Sequence, residues 1–250
     1  MIPPADIFAP LENVAKSILD FFHNDVGLAW GTSIVALTVV IRTILIPLTY
    51  KQIKGMRAMQ ALQPQIKELQ EKYKNDRQRQ QQEMMRFWQE NKVNPLASCL
   101  PLLLQLPVFF ALFRLLRGTA FKDEVLASGD QGWLFIQSVA EKPHGAELIV
   151  LMVLFMGSMA LSSLVMIQSS PGAAGSQQYI MLGAFALMGV FFVPTFPAGL
   201  SIYWITTNFW TVGQQYAAAK LIPAPEVPTP AAAAAARPPP PPPRKRKKRR

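Results

Sequence analysis

Residues 28–50 read LAWGTSIVALTVVIRTILIPLTY, and Arg42 is the only charged side chain among these 23 residues. About 20 apolar residues are enough to cross a bilayer as a helix. Arginine stays protonated in proteins, and a charge in the middle of a membrane helix costs roughly 2.5–3.5 kcal/mol. Since no Asp or Glu lies inside this block or the other apolar blocks, we interpret Arg42 as facing a water-filled cavity. The alternative is a side chain that snorkels to the surface at Lys51, about 13 Å away along the helix.

The composition indicates a polytopic membrane protein with an all-α fold. Hydrophobic residues make up 50% of the 250 and cluster in long blocks, whereas charged residues make up 16%, against about 25% in soluble proteins. The formal net charge is +10, but seven of the 25 basic residues are the last seven of the chain. A single cysteine, Cys99, leaves no disulfide within the chain, and we predict neither a metal nor another cofactor.

Five apolar blocks predict five membrane spans. They are Leu28–Tyr50, Leu96–Leu116, Leu148–Ile167, Tyr179–Val193 and Ala198–Ala219. Pro194 and Pro197 separate the last two, which favours a tight turn over a single re-entrant hairpin. Residues 51–92 hold ten basic and five acidic side chains, and loops rich in Lys and Arg stay in the cytoplasm. The N-terminus is therefore predicted outside the cell and the C-terminus in the cytoplasm.

Residues 1–27 predict an extracytoplasmic segment that contains an amphipathic helix. Its apolar side chains recur at helical spacing, as Ile7, Leu11, Val14 and Ile18. The helix is too short and too polar to span a membrane. It either lies in the membrane interface or packs against the protein's own helices.

Residues 51–95 predict a cytoplasmic helical hairpin, because good helix formers dominate both arms. Asn75 and Asp76 make the turn, with Asp76 as N-cap of the second arm. Pro64 should kink the first arm or start a new helix. Four bulky side chains on the second arm pack on the first arm, meet the membrane surface or contact a substrate; they are Met84, Met85, Phe87 and Trp88.

Residues 220–250 predict a linker followed by a polybasic tail. A run of six alanines and a run of six prolines precede the last seven residues, and the proline run should extend as polyproline II. The basic side chains are Arg244, Lys245, Arg246, Lys247, Lys248, Arg249 and Arg250. Such a segment binds RNA phosphates or anionic lipids, and the residues leave both open.

Several short motifs resemble the YidC family of membrane protein insertases, in matching order across about residues 28–217. They are RTILIPLT at 42–49, KVNPL at 92–96, LPLLLQLP at 100–107 and FPAGL at 196–200. The resemblance implies a bacterial cell-membrane insertase or assembly chaperone with five core spans, a cytoplasmic hairpin and a polar groove open to the cytoplasm. It also implies nascent membrane proteins, the Sec translocon and, through the basic tail, the ribosome as partners. The chain resembles the short form of the family, which lacks the large periplasmic domain.

The groove arginine of the family matches Arg42. Other polar side chains inside the apolar blocks support a wet cavity, because polar groups in lipid are unfavourable unless the protein satisfies them. Tyr203 and Trp204 are candidate substrate contacts or interface anchors, and any Ser or Thr could instead bond its own helix backbone. The predicted groove residues are Arg42, Thr38, Gln105, Tyr203, Trp204, Thr207 and Asn208.

Three functions compete at this point. In the first, an insertase, the cavity lowers the desolvation barrier for polar segments of nascent membrane proteins, and apolar segments leave sideways into lipid. In the second, Arg42 serves a small-anion transporter or channel, although no inverted repeat occurs and the long hairpin has no role there. The third, an intramembrane enzyme, is not favoured, because the sequence has no Gly-x-Ser-x-Gly, His-Glu-x-x-His or paired intramembrane carboxylates.

Overall fold

The computed structural model describes residues 8–91, 93, 100–168, 183, 187 and 189–222, and these residues form helices and loops with no β-strand. The helices are α1 (Ala9–Asp20), α2 (Trp30–Ile44), α3 (Ile46–Ala61), α4 (Gln63–Lys72), α5 (Arg77–Glu90), α6 (Leu100–Arg117), α7 (Thr119–Ser128), α8 (Gly145–Gln168) and α9 (Ala198–Leu221). A π-helix, Phe21–Asp25, follows α1, and residues 189–192 are also helical. The described part of the chain is therefore all-α, as the sequence predicts.

The predicted first span is two helices rather than one. The chain breaks between α2 and α3 at Leu45, and the two axes differ by 61°. Pro47 explains the break, because it has no N–H to donate and its ring clashes with the carbonyl one turn earlier. Taken together, α2 and α3 are long and apolar enough to cross a membrane. Among the described helices, the stretch Gly145–Val165 of α8 meets the same test without a second helix.

Helix α9 lies at the centre of the bundle, with α8 and α2 as its main neighbours and α6 beside it. Its first six residues, 198–203, are all buried, which requires neighbours on every side of the helix. The large core side chains around it come from different elements. Among those that are fully buried are Trp30, Leu37, Leu112, Phe121 and Phe155.

One end of the bundle is closed by α7 and by residues 129–144, which we call the α7–α8 loop. Trp133 in this loop donates its indole N–H to Thr32 Oγ1 at 2.9 Å, and Ile136 and Val139 are buried in the core. Trp30 donates to Ser128 Oγ at 3.1 Å from the other side. We call this region the loop end: α1, α7, the α7–α8 loop and the first turns of α2 and α9.

The amphipathic helix of the N-terminal segment is α1, and it packs on α6 and α2. Ala15 and Leu19 are buried in this contact, whereas Leu11 and Val14 are exposed. Packing against the protein's own helices, one of the two expected roles, thus accounts for one face. The exposed face remains compatible with the interface, which stays a prediction.

The opposite region, the hairpin end, consists of α3, α4, α5 and the last two turns of α9. Asp76 caps α5 by accepting the backbone N–H of Arg79 at 3.0 Å, and Pro64 lies in the first turn of α4. Gln80 donates to the Gln70 carbonyl at 2.8 Å, which ties the two arms together. Met84 is buried whereas Met85 is exposed, so the bulky side chains of α5 divide between packing and the surface.

Some predictions fall outside the described residues. These are most of the fourth predicted span, Cys99 and the linker with its basic tail, residues 223–250.

Candidate functional site

Arg42 lies in the last turn of α2 and is half-buried. Its Nη2 donates a hydrogen bond to Gln105 Oε1 of α6 at 2.9 Å. Gln105 Nε2 in turn donates to the Tyr203 hydroxyl of α9. We call these three residues the Arg42 cluster. The amide of Gln105 joins the three helices, because its oxygen accepts from Arg42 and its nitrogen donates to Tyr203.

The Arg42 cluster contains a cation and no anion. Within the described residues, no carboxylate forms an ion pair with Arg42, and its polar partner is the neutral amide of Gln105. A neutral amide orients a guanidinium without cancelling its charge. The cluster therefore presents a fixed positive charge. Thr207, another predicted groove residue, is buried one turn beyond Tyr203 along α9.

Thr38 does not take part in this cluster, although the sequence analysis places it in the groove. Its side chain is fully buried, and its hydroxyl donates to the Ile34 carbonyl one turn earlier at 2.7 Å. The local backbone bond, which was the alternative for each Ser and Thr, satisfies the hydroxyl. Thr38 is thus a core residue of α2.

Trp204 and Asn208, two further predicted groove residues, contact residues outside the Arg42 cluster. Trp204 packs in an aromatic cluster with Phe109, Phe155 and Phe192. Asn208 is buried and donates to Ser158 Oγ of α8 at 3.0 Å. Asn208 is five residues after Tyr203, about 140° further round α9, so the two side chains leave the helix on different faces.

Ser158 is a buried polar residue between α8 and α9 that the sequence analysis missed. It lies in the most apolar helix, where its hydroxyl also donates to the Phe155 carbonyl at 2.8 Å. A small polar residue inside an apolar helix is a signal for a helix–helix contact. The sequence does not identify the residue that Ser158 contacts, because Asn208 is 50 residues away along the chain.

The α7–α8 loop closes the bundle directly above the Arg42 cluster. It accepts the first backbone amides of α9: Ala198 N–H donates to the Glu141 carbonyl and Gly199 N–H to the Val139 carbonyl, each at 2.8 Å. A Cβ at Gly199 would lie 2.9 Å from Val139 O and 3.0 Å from Ile34 Cδ1. Gly199 precedes Tyr203 by one helical turn, so the closure lies about 6 Å from Tyr203 along α9.

No group of three or more His, Cys, Asp or Glu side chains in the described ranges is arranged to hold a metal ion. The chemistry of the site rests on hydrogen bonds and on the charge of Arg42. Together with the apolar helices, this defines a class: a helical membrane protein whose polar site lies beneath a sealed end.

The comparisons name the family. The family model of the 60Kd inner membrane protein matches residues 21–225, and the chain belongs to this family. Two curated relatives are named membrane protein insertase YidC: one from Streptomyces avermitilis, 39% identical over 232 residues, and one from Geobacter sulfurreducens, 36% identical over 209 residues. They cover 82% and 84% of this chain. The resemblance to the YidC family is confirmed, and these names do not support the anion-transporter alternative.

A solved structure gives the same result for the fold. The crystal structure of an active YidC insertase with its first transmembrane domain resolved matches with a TM-score of 0.60 and 26% identity, over 84% of this chain and 45% of that one. The chain spans 54% and 37% of the two curated relatives' lengths. The activity of those longer proteins is therefore only a proposal for this chain.

Proposed function

We propose that this protein is a membrane insertase and chaperone. It takes hydrophilic segments of nascent membrane proteins into a polar groove around Arg42 and releases their apolar segments into lipid. The observation that carries the proposal is the uncompensated cation of the Arg42 cluster, held by Gln105 at 2.9 Å. A charge kept in that position without a counter-ion costs free energy, which favours a functional role for it.

The proposed arrangement has five spans, with the N-terminus outside and the C-terminus and hairpin in the cytoplasm. The groove opens toward the hairpin end and the lipid and is closed at the loop end. Two features support this direction. Backbone bonds and buried side chains close the loop end, whereas Thr43, Ile46 and Pro47, just beyond Arg42 toward the hairpin, are exposed.

The mechanism is electrostatic and breaks no covalent bond. An acidic segment that enters from the cytoplasm exchanges part of its hydration for the polar groove and for the charge of Arg42. The membrane potential, negative inside, then draws each acidic group outward with about 2.3 kcal/mol per 100 mV. Since Gln105 is neutral, it holds Arg42 in place without competing for that charge.

The partners of this activity are proposals of the same kind. Nascent membrane proteins are the substrates, and the protein acts alone or beside the Sec translocon. The basic residues 244–250, outside the described part of the chain, contact the ribosome or anionic lipids. Deleting residues 238–250 should weaken ribosome co-sedimentation, with a steep dependence on salt concentration.

The test replaces Arg42 in the full chain, reconstituted in proteoliposomes. The substrate is a single-span protein with an acidic outer tail. We expect Arg42→Ala to lower insertion about tenfold, as for the loss of one favourable charge contact. Arg42→Glu should lower it further, and Arg42→Lys should keep part of it because the charge remains.

Two controls make this test specific. Arg86→Ala removes an exposed arginine of the hairpin that pairs with Glu90 at 2.8 Å, and it should leave insertion unchanged. A substrate with an uncharged outer tail should respond weakly to all Arg42 variants. Insertion at the wild-type rate by Arg42→Ala, Arg42→Lys and Arg42→Glu alike would show that Arg42 is not the functional charge.

A further inference from the structure

A polar cavity of about 200 Å³ lies between the α7–α8 loop and the first turn of α8. Ser138, Glu141, Lys142, His144 and Glu147 line it together with two glutamines. It is separate from the Arg42 cluster, and the proposed insertase mechanism does not use it. Its wall carries charges of both signs, so it suits a ligand that also carries both.

Glu147 is the buried acid of this cavity, with 6% of its surface exposed. Its Oε2 accepts the backbone N–H of Gln137 at 3.2 Å, and in the described part of the chain no cation pairs with it. Glu141 differs, because Lys122 pairs with it at 3.0 Å. A buried carboxylate without a cation is costly, so Glu147 leaves a place for a positively charged donor.

Ser138 provides a second and independent sign of a ligand. It is also 6% exposed, it lines the same cavity, and its Oγ has no hydrogen-bond partner among the described residues. Buried hydroxyls are normally hydrogen-bonded. A hydroxyl and a carboxylate that line the same cavity supply two kinds of acceptor for one ammonium group.

The position of the cavity identifies the source of such a ligand. Gly145–Val165, the helical stretch long enough to cross a membrane by itself, starts at this cavity, which places the cavity at headgroup depth. Val150 and Leu154 lie three and seven residues after Glu147, on the same side of α8, and each is 42% exposed. They form an apolar strip that leads from the cavity toward the hydrocarbon.

We propose that this cavity binds the headgroup of a phospholipid that carries a primary ammonium. The ammonium lies between Glu147 and Ser138, the phosphate faces Lys142 and His144, and an acyl chain follows Val150 and Leu154. A choline headgroup should bind more weakly, because its quaternary nitrogen is a cation but has no N–H to donate to Glu147 or Ser138. A headgroup without a cation leaves Glu147 unpaired.

The experiment uses the full chain in nanodiscs and measures lipids retained by native mass spectrometry. The probes are dioleoyl phosphatidylethanolamine, phosphatidylcholine and phosphatidylglycerol. Wild type should retain the ethanolamine lipid in preference to the other two. Glu147→Gln should reduce that preference about tenfold, as expected for one charge-assisted hydrogen bond, and Ser138→Ala should reduce it less.

Asp123→Asn is the matched control, because Asp123 is an exposed acid of the neighbouring helix α7 outside the cavity, and it should behave as wild type. Should Glu147→Gln fail to fold, Ser138→Ala and the comparison of the three lipids still decide. Equal retention of all three lipids by wild type, or an unchanged preference in a folded Glu147→Gln, overturns the proposal. Soluble phosphoethanolamine, added to phosphatidylcholine nanodiscs, distinguishes a free headgroup: if it raises the melting temperature as much as the lipid does, the lipid assignment is wrong.

Discussion

The loop end and the hairpin end differ sharply in how they are packed. At the loop end, Trp30, Phe121, Val125 and Val139 are essentially inaccessible and belong to one continuous core. At the hairpin end, a separate small cluster of Ile53, Ala218 and Ile222 is the counterpart, and Arg57 donates to the Ile222 carbonyl beside it. Among the described residues, one end therefore has a full core and the other has a small separate apolar cluster.

This difference between the two ends supports the proposal that polar segments reach the Arg42 cluster from the hairpin end only. Regions with few buried apolar contacts open at low free energy, and regions in the main core open only with global unfolding. In the proposed mechanism, a polar segment that approaches the Arg42 cluster from the hairpin end meets the weakly held side first. Gly199, at the sealed end, lies one helical turn before Tyr203.

The largest expected effect comes from filling a glycine at the loop end. A Cβ at Gly31 would lie 2.1 Å from Cγ and 2.6 Å from Cβ of Trp133, which are atoms at the root of that side chain. Gly31→Ala should therefore displace Trp133, break its bond to Thr32 and destabilise the protein by about 3 kcal/mol. The measurement is thermal unfolding in detergent.

Gly213 in the second half of α9 is the matched control for Gly31. A Cβ there would meet nothing within 4 Å, so Gly213→Ala should be neutral or stabilise by up to about 1 kcal/mol. Equal melting temperatures for the two variants would contradict the difference between the two ends.

A smaller effect is expected from the Asn208–Ser158 pair between α9 and α8. The variants Asn208→Ala, Ser158→Ala and their combination form a double-mutant cycle. The coupling should be about 1 kcal/mol, typical of a hydrogen bond between membrane helices. Insertion of an acidic substrate should stay near wild type, and a loss as large as that of Arg42→Ala would return Asn208 to the groove.

The smallest effect is expected from Lys16, which ties α1 to α7 through Glu124 at 2.8 Å and also pairs with Asp20. Burial acts to lower the pKa of Lys16, but hydrogen bonds and charges from both carboxylates outweigh it, so its pKa lies above the ordinary 10.5. The pair therefore stabilises fully below pH 10.5 and is lost as pH rises through the raised pKa.

Lys16→Met should cost at most about 1 kcal/mol at neutral pH. It should also remove part of the alkaline loss of stability, measured as melting temperature between pH 7 and pH 11. A Lys16→Met variant that loses stability above pH 10 as steeply as wild type would show that this pair does not matter.

The sequence predicts the helices well and their partners poorly. Asp76 as an N-cap and Pro64 at a helix start depend on neighbours within one turn, so local rules suffice for them. Pro47 carried the signal for the bend between α2 and α3, which the long apolar block obscured. Helix α7, between the second and third predicted spans, was not predicted because it is only ten residues long.

The residues of the candidate site could also be predicted from the sequence only in part. Arg42 and Gln105 stand out as polar residues inside apolar blocks, and the structure brings them together with Tyr203. Thr38, Trp204 and Asn208 carry similar signals but bond elsewhere, because the rotation of each helix about its own axis is set by tertiary packing. Trp133 could not be found at all, since its role depends on Gly31, about 100 residues away in sequence.

The bonds that seal α9 are made by main-chain atoms of the α7–α8 loop. Every amino acid supplies the same carbonyl, so residue 141 can change identity without opening that end, provided the loop keeps its path; Val139 is held in addition by its buried side chain. The constraint falls instead on the small partner, Gly199. Variation should be tolerated at position 141 and rejected at position 199, and saturation mutagenesis of these two positions tests whether the seal is made by main-chain atoms.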